Sequence, residues 1–88
     1  MPSEQLTEKV ISIIADNQYI PQEDISLESE FEELGIDSLA ALGIISEIEN
    51  EFSIIIPNDK ALLIKNVRQL VEGLEEFLST ATTHTFQS

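Results

Sequence analysis

The stretch Leu34-Gly35-Ile36-Asp37-Ser38-Leu39 closes one piece of structure and opens another. Gly35 can take the left-handed conformation that ends a helical turn. Asp37 is a favoured N-cap, and its charge suits the positive end of a helix. Ser38 then falls in the first turn, exposed and rigidly held, beside backbone N–H groups without a partner inside the helix. Such a position favours a phosphate, and hence a phosphate-linked modification. The plain alternative is that Asp-Ser does no more than start the helix.

Downstream, Ala41, Ile45, Ile48 and Phe52 recur at i, i+4, i+7 and i+11, with Ile44 beside them, which predicts a helix over 38–52. Leu39, Leu42 and Ser46 lie roughly 140° around from that stripe, at about 100° per residue. Two leucines off the core face suggest an exposed apolar patch for a partner. Packing under the preceding loop is the competing explanation. Upstream, Leu6, Val10, Ile13 and Ile14 predict a helix over 4–17, with Ser3 as N-cap and Glu4 in its first turn. Tyr19-Ile20-Pro21 starts an extended loop, because the residue before a proline avoids the helical region.

The loop from Pro21 to Asp37 is long, but Ile25, Leu27, Phe31, Leu34 and Ile36 predict that it packs across the domain. Ser29 and Glu32 have capping-box spacing, so one helical turn is expected over 30–34, ended by Gly35. Alternation over Ile25–Phe31 also fits a strand, but no second strand is available to pair with it. Beyond Ile54-Ile55-Ile56-Pro57, Asn58 or Asp59 is expected to cap a short helix over 60–63. Asn66, with Gln69 three residues on, caps a last helix over 67–79, whose apolar face is Val67, Leu70, Val71, Leu74, Phe77 and Leu78. Thr80–Ser88 has no periodicity and is expected to be a disordered tail. The expected fold is all-α: a four-helix bundle of three main helices and one short one, with a long loop between the first and second. It forms one domain over 1–79, followed by the tail over 80–88, and shows no repeat.

The 88 residues carry 17 Asp and Glu against 4 Lys and Arg, a formal net charge of −13. Sequence-independent nucleic-acid binding needs clustered cations and is excluded. An anionic membrane surface is an equally poor partner. Basic enzyme surfaces and cations are better ones. With no cysteine, disulfides, thiol nucleophiles and zinc fingers are ruled out. MPSEQLTEK lacks the basic and apolar segments of a signal peptide. The longest apolar runs fall far short of the roughly 20 residues of a membrane span. A cytoplasmic monomer without membrane insertion is expected. His84 sits in the tail with no positioned neighbour, and no base–nucleophile pair exists, so the chain is not expected to be an enzyme. A calcium loop starting at Asp24 fails, with Ser29 at its sixth position and Gly35 at its twelfth.

Phe31-Glu32-Glu33-Leu34-Gly35-Ile36-Asp37-Ser38-Leu39, then Glu49-Asn50-Glu51-Phe52, Ile56-Pro57 and Val67, resemble the acyl carrier proteins over about residues 4–79. The resemblance implies a four-helix bundle with a long first loop. It also implies a covalent 4′-phosphopantetheine on Ser38, flanked by Asp37 and Leu39 and attached from coenzyme A by a phosphopantetheinyl transferase, the carrier-protein synthase. The thiol of that arm holds acyl groups as thioesters for acyl-transferring, condensing and modifying enzymes. Docking falls to Asp37, Leu39, Leu42, Ser46, Glu47, Glu49 and Ile56. Ile44, Ile45, Ile48, Leu63 and Ile64 are candidates to line an acyl pocket, and equally fit ordinary core. Ala40, Gly43 and Asn50 stand where the family often has carboxylates, Ser46 where an apolar residue is usual, and Lys60 and Leu62 make the short helix less acidic. These departures point to docking patches with more apolar and less ionic character, in a specialised carrier for fatty acid, polyketide or related chemistry. A peptidyl or aminoacyl carrier shares the fold and the serine. An acidic helical interaction module would ignore Ser38 altogether.

Overall fold

The computed structural model describes residues 3–87, with side chains described through Leu78. Four α-helices follow in order: α1 (Glu4–Gln18), α2 (Ser38–Phe52), α3 (Asn58–Ala61) and α4 (Val67–Gln87). A single 3₁₀ turn, Gln22–Asp24, interrupts the long first loop; the Asp24 N–H bonds back to Pro21 O, and the Ile25 N–H that follows the turn bonds to Gln22 O. α1 packs against α2 and α4, and α2 against α3.

The capping residues act largely as their types predict. Ser3 Oγ accepts the Leu6 N–H at 3.3 Å, and Asp37 Oδ1 accepts the Ala40 N–H at 2.8 Å. Asn66 Oδ1 accepts the Gln69 N–H at 2.8 Å, while Gln69 Oε1 reaches back to the Lys65 N–H at 2.7 Å. Tyr19 and Ser53 end α1 and α2 in the left-handed conformation, with φ of 58° and 56°. The core is wholly hydrophobic and joins Val10 and Ile14 of α1, Ile44, Ile45 and Ile48 of α2, and Val67, Leu70, Val71 and Leu74 of α4. Ile25, Phe31 and Ile36 of the loop are buried in it, so the loop is part of the packed domain.

Backbone bonds tie the middle of the loop to the end of the α3–α4 connection and to the first residues of α4. Phe31 N–H donates to Lys65 O at 2.8 Å, Val67 N–H to Ser29 O at 3.1 Å, and Arg68 N–H to Leu27 O at 3.1 Å. Arg68 also pairs with Glu28. The extended alternation of this segment therefore finds a partner for one residue only, in an isolated Glu30–Asn66 bridge.

Three local expectations are corrected. The helical turn before Gly35 exists, but Ser29 does not cap it against Glu32. The Ser29 hydroxyl accepts the Ser26 N–H at 3.0 Å, and Glu33 Oε1 accepts the Glu30 N–H at 3.1 Å instead. α3 starts two residues earlier than expected, with Pro57 as N-cap and no side-chain cap. The fixed φ of proline sets up the turn, and the Lys60 and Ala61 N–H groups both bond to Pro57 O. α4 continues to Gln87 through the segment expected as a tail. Thr80–Gln87 contains no glycine or proline, and a helix already nucleated propagates at little cost. Ser88 lies outside the described residues, and the His84 side chain outside the described side chains.

Candidate functional site

Ser38 is the first residue of α2 and is exposed. Its place is fixed from both sides. Ile36 is buried immediately before Asp37, and Ala41 is buried one turn later, with its N–H on Asp37 O at 2.8 Å. Gly35, at φ 75°, turns the chain from the 30–34 segment into this approach. The Asp37 carboxylate is held by the Ala40 N–H, so it shapes the start of α2 as well as charging it. The Ser38 and Leu39 N–H groups belong to the helix positions that have no intrahelical acceptor.

A groove of about 720 Å³ opens beside Ser38, between the end of the long loop and α3. Phe31, Ile36, Ala41, Ala61, Leu62 and Ile64 give it apolar wall, and Glu30, Glu32, Asp37 and Lys65 give it a polar rim. Among the described residues no buried side-chain polar atom lacks a partner, and no cluster of His, Asp or Glu could hold a metal.

The expected docking residues divide. Leu39 is 80% exposed beside Ser38, whereas Leu42 is half-buried against the core. The two off-stripe leucines therefore differ: Leu39 faces outward and Leu42 packs inward. Ser46 and Glu47 are exposed on α2, and Glu47 Oε1 accepts the Asn17 amide at 3.3 Å. Glu49 is half-buried and its Oε2 accepts the Ile56 N–H at 2.7 Å, so it also holds the connection that leaves α2. Ile56 is half-buried.

Of the expected pocket residues, Ile44, Ile45 and Ile48 are core and line neither of the two grooves described here. Leu63 is 73% exposed, because the earlier start of α3 turns Ala61, not Leu63, inward. Ile64 lines both the Ser38 groove and a second, more apolar one against Ile56, Leu70, Leu74 and Phe77 of about 750 Å³. Gln18 was given no role by sequence reasoning, yet its amide reaches the Leu34 and Gly35 carbonyls.

The fold is a small helical bundle that exposes one serine at the start of α2, directly after the capping Asp37. Residues 8–74 match the family model described as phosphopantetheine attachment site. The acyl carrier protein of Rickettsia bellii strain RML369-C is 43% identical over 77 residues, covering 86% of this chain and 90% of the relative. That of Amoebophilus asiaticus is 40% identical over 76 residues, covering 85% and 95%. An acyl carrier protein structure from Thermotoga maritima superposes with a TM-score of 0.79 at 24% identity, covering 89% of this chain and 92% of that one. The chain belongs to the acyl carrier protein family. Proteins of this family are carriers rather than enzymes, and they work on a covalently attached phosphopantetheine. They are served by a phosphopantetheinyl transferase and visited by biosynthetic enzymes. Among the described residues no helix is long and apolar enough to cross a membrane.

Proposed function

We propose that Ser38 is the attachment point, and that the chain shuttles acyl intermediates between fatty acid, polyketide or related biosynthetic enzymes in the cytoplasm. The observation that carries this is an exposed serine at the first position of α2, between a capping Asp37 and an exposed Leu39. In the loading step the Ser38 hydroxyl attacks the phosphorus of coenzyme A that bears pantetheine. The new bond is serine O–P, the pyrophosphate P–O bond breaks, and adenosine 3′,5′-bisphosphate leaves. The serine proton passes to a base of the transferase. Once attached, the group supplies the thiol that holds the acyl chain, and the protein supplies position and shelter.

The groove beside Ser38, with Ile64 at its inner wall, is the place we assign to the arm and the start of its cargo. Docking falls to Leu39, Ser46 and Glu47, with Asp37, Leu42, Glu49 and Ile56 shaping the surface beneath. Ala40 and Gly43 leave the first turns of α2 without charge after Asp37, which supports partner patches with a larger apolar share and a specialised pathway. Intact mass after incubation with coenzyme A, Mg²⁺ and a broad-specificity phosphopantetheinyl transferase tests the assignment. One phosphopantetheine on the wild type and none on Ser38→Ala is expected; equal addition to both overturns it.

A further inference from the structure

Gln18 is the last residue of α1 and is half-buried. Its Nε2 donates to Leu34 O and to Gly35 O, both at 3.2 Å. An amide nitrogen has two hydrogens, so this one group serves both carbonyls. Those carbonyls end the 30–34 turn, where no N–H within the turn reaches them. The middle of the loop is tied to Lys65 and to the start of α4 by backbone bonds. The last stretch before α2 is tied to α1, and among the described side chains Gln18 makes that tie. The amide itself stands on a firm base, because Ile14 and Ala15 of the preceding turn are in the core. One residue earlier, Asn17 holds Glu47 on the outer part of α2.

We propose that Gln18 is a positioning residue for modification at Ser38: its amide fixes the Gly35 turn and with it the point at which α2 begins. The proposal rests on the assignment of Ser38 as attachment point. Gln18 lies outside the set of docking residues, so its loss should affect how the hydroxyl is held once the transferase has bound. That is a fall in kcat with little change in KM. A residue that merely stabilised the loop would lower the melting temperature and leave loading of the folded protein unchanged.

The experiment compares wild type, Gln18→Ala and Gln18→Glu, well below their melting temperatures. Initial loading rates are measured with coenzyme A, Mg²⁺ and a broad-specificity transferase, and amide hydrogen exchange is followed over Gly35–Leu39. Gln18→Glu keeps the length but turns a donor into a carboxylate facing two carbonyl oxygens. Expected are a kcat lower by about fivefold in Gln18→Ala, the size of one net hydrogen bond, and lower still in Gln18→Glu. KM should change by less than about twofold, and exchange over Gly35–Leu39 should quicken. Wild-type kcat in both folded variants, or a change in KM alone, overturns the proposal while leaving Ser38 as attachment point. Failure of the wild type itself to load overturns both.

Discussion

Gly43 and Gly35 should respond to alanine with opposite signs. Gly43 lies exposed in the interior of α2, outside the left-handed region. A Cβ placed there comes within 3.9 Å of Asn17 Nδ2 and meets no nearer neighbour, an ordinary van der Waals contact. Nothing steric opposes the gain in helix propensity, about 1 kcal/mol for Gly to Ala. For a domain of this size that raises the melting temperature by about 4–8 °C. Gly35 also has room for a Cβ, which would lie 3.8 Å from Gln18 Nε2, but its φ is +75°. An L-residue there costs roughly 1–2 kcal/mol, so Gly35→Ala should melt lower by a similar or larger interval. Thermal unfolding by circular dichroism, at one protein concentration and one salt, measures both. A Gly43→Ala that melts at or below the wild type, or a Gly35→Ala that melts above it, would refute the reasoning.

Ile48→Ala removes a fully buried side chain from the junction of the bundle, at a cost of about 2–5 kcal/mol; urea titration should show the midpoint collapsing toward zero denaturant. Leu39→Ala should leave stability within about 0.5 kcal/mol, as for other surface positions, since Leu39 is 80% exposed. The same variant should nevertheless be loaded more slowly at Ser38, and wild-type loading kinetics would remove Leu39 from the docking surface. With a net charge of −13, raising NaCl from about 0.01 to 0.1 M shortens the screening length from about 30 to 10 Å. The melting temperature should rise over that range, and a fall would show that attractive pairs such as Lys9–Glu51, at 3.0 Å, outweigh the repulsion.

The helices could be read because their signals are local. The stripe on α2 and the caps Ser3, Asp37 and Asn66 need only neighbours three or four residues away. Ser38 was legible for the same reason: cap, turn and serine are consecutive. Harder to read was everything decided at a distance. Ser29 has the spacing of a cap, but its carbonyl is taken by the Val67 N–H at the start of α4, and its hydroxyl turns back to the Ser26 N–H. The short helix starts at Asn58, after Pro57, and so turns Ala61 rather than Leu63 into the core. That shift removed Leu63 from the pocket side and left Ile64 as the wall shared by both grooves. The Gln18 amide carries no sequence signal, since its acceptors are backbone carbonyls sixteen and seventeen positions away.

The most direct test of Ser38 as the presented hydroxyl is to map the modified residue. After loading with coenzyme A, Mg²⁺ and a phosphopantetheinyl transferase, the protein is cleaved and its peptides fragmented in the mass spectrometer. The phosphopantetheine should sit on Ser38 alone, with Ser46, exposed further along the same helix, unmodified. A modification on Ser46 or on any other serine would contradict the account, because the capped first turn of α2 would then not be what presents the group.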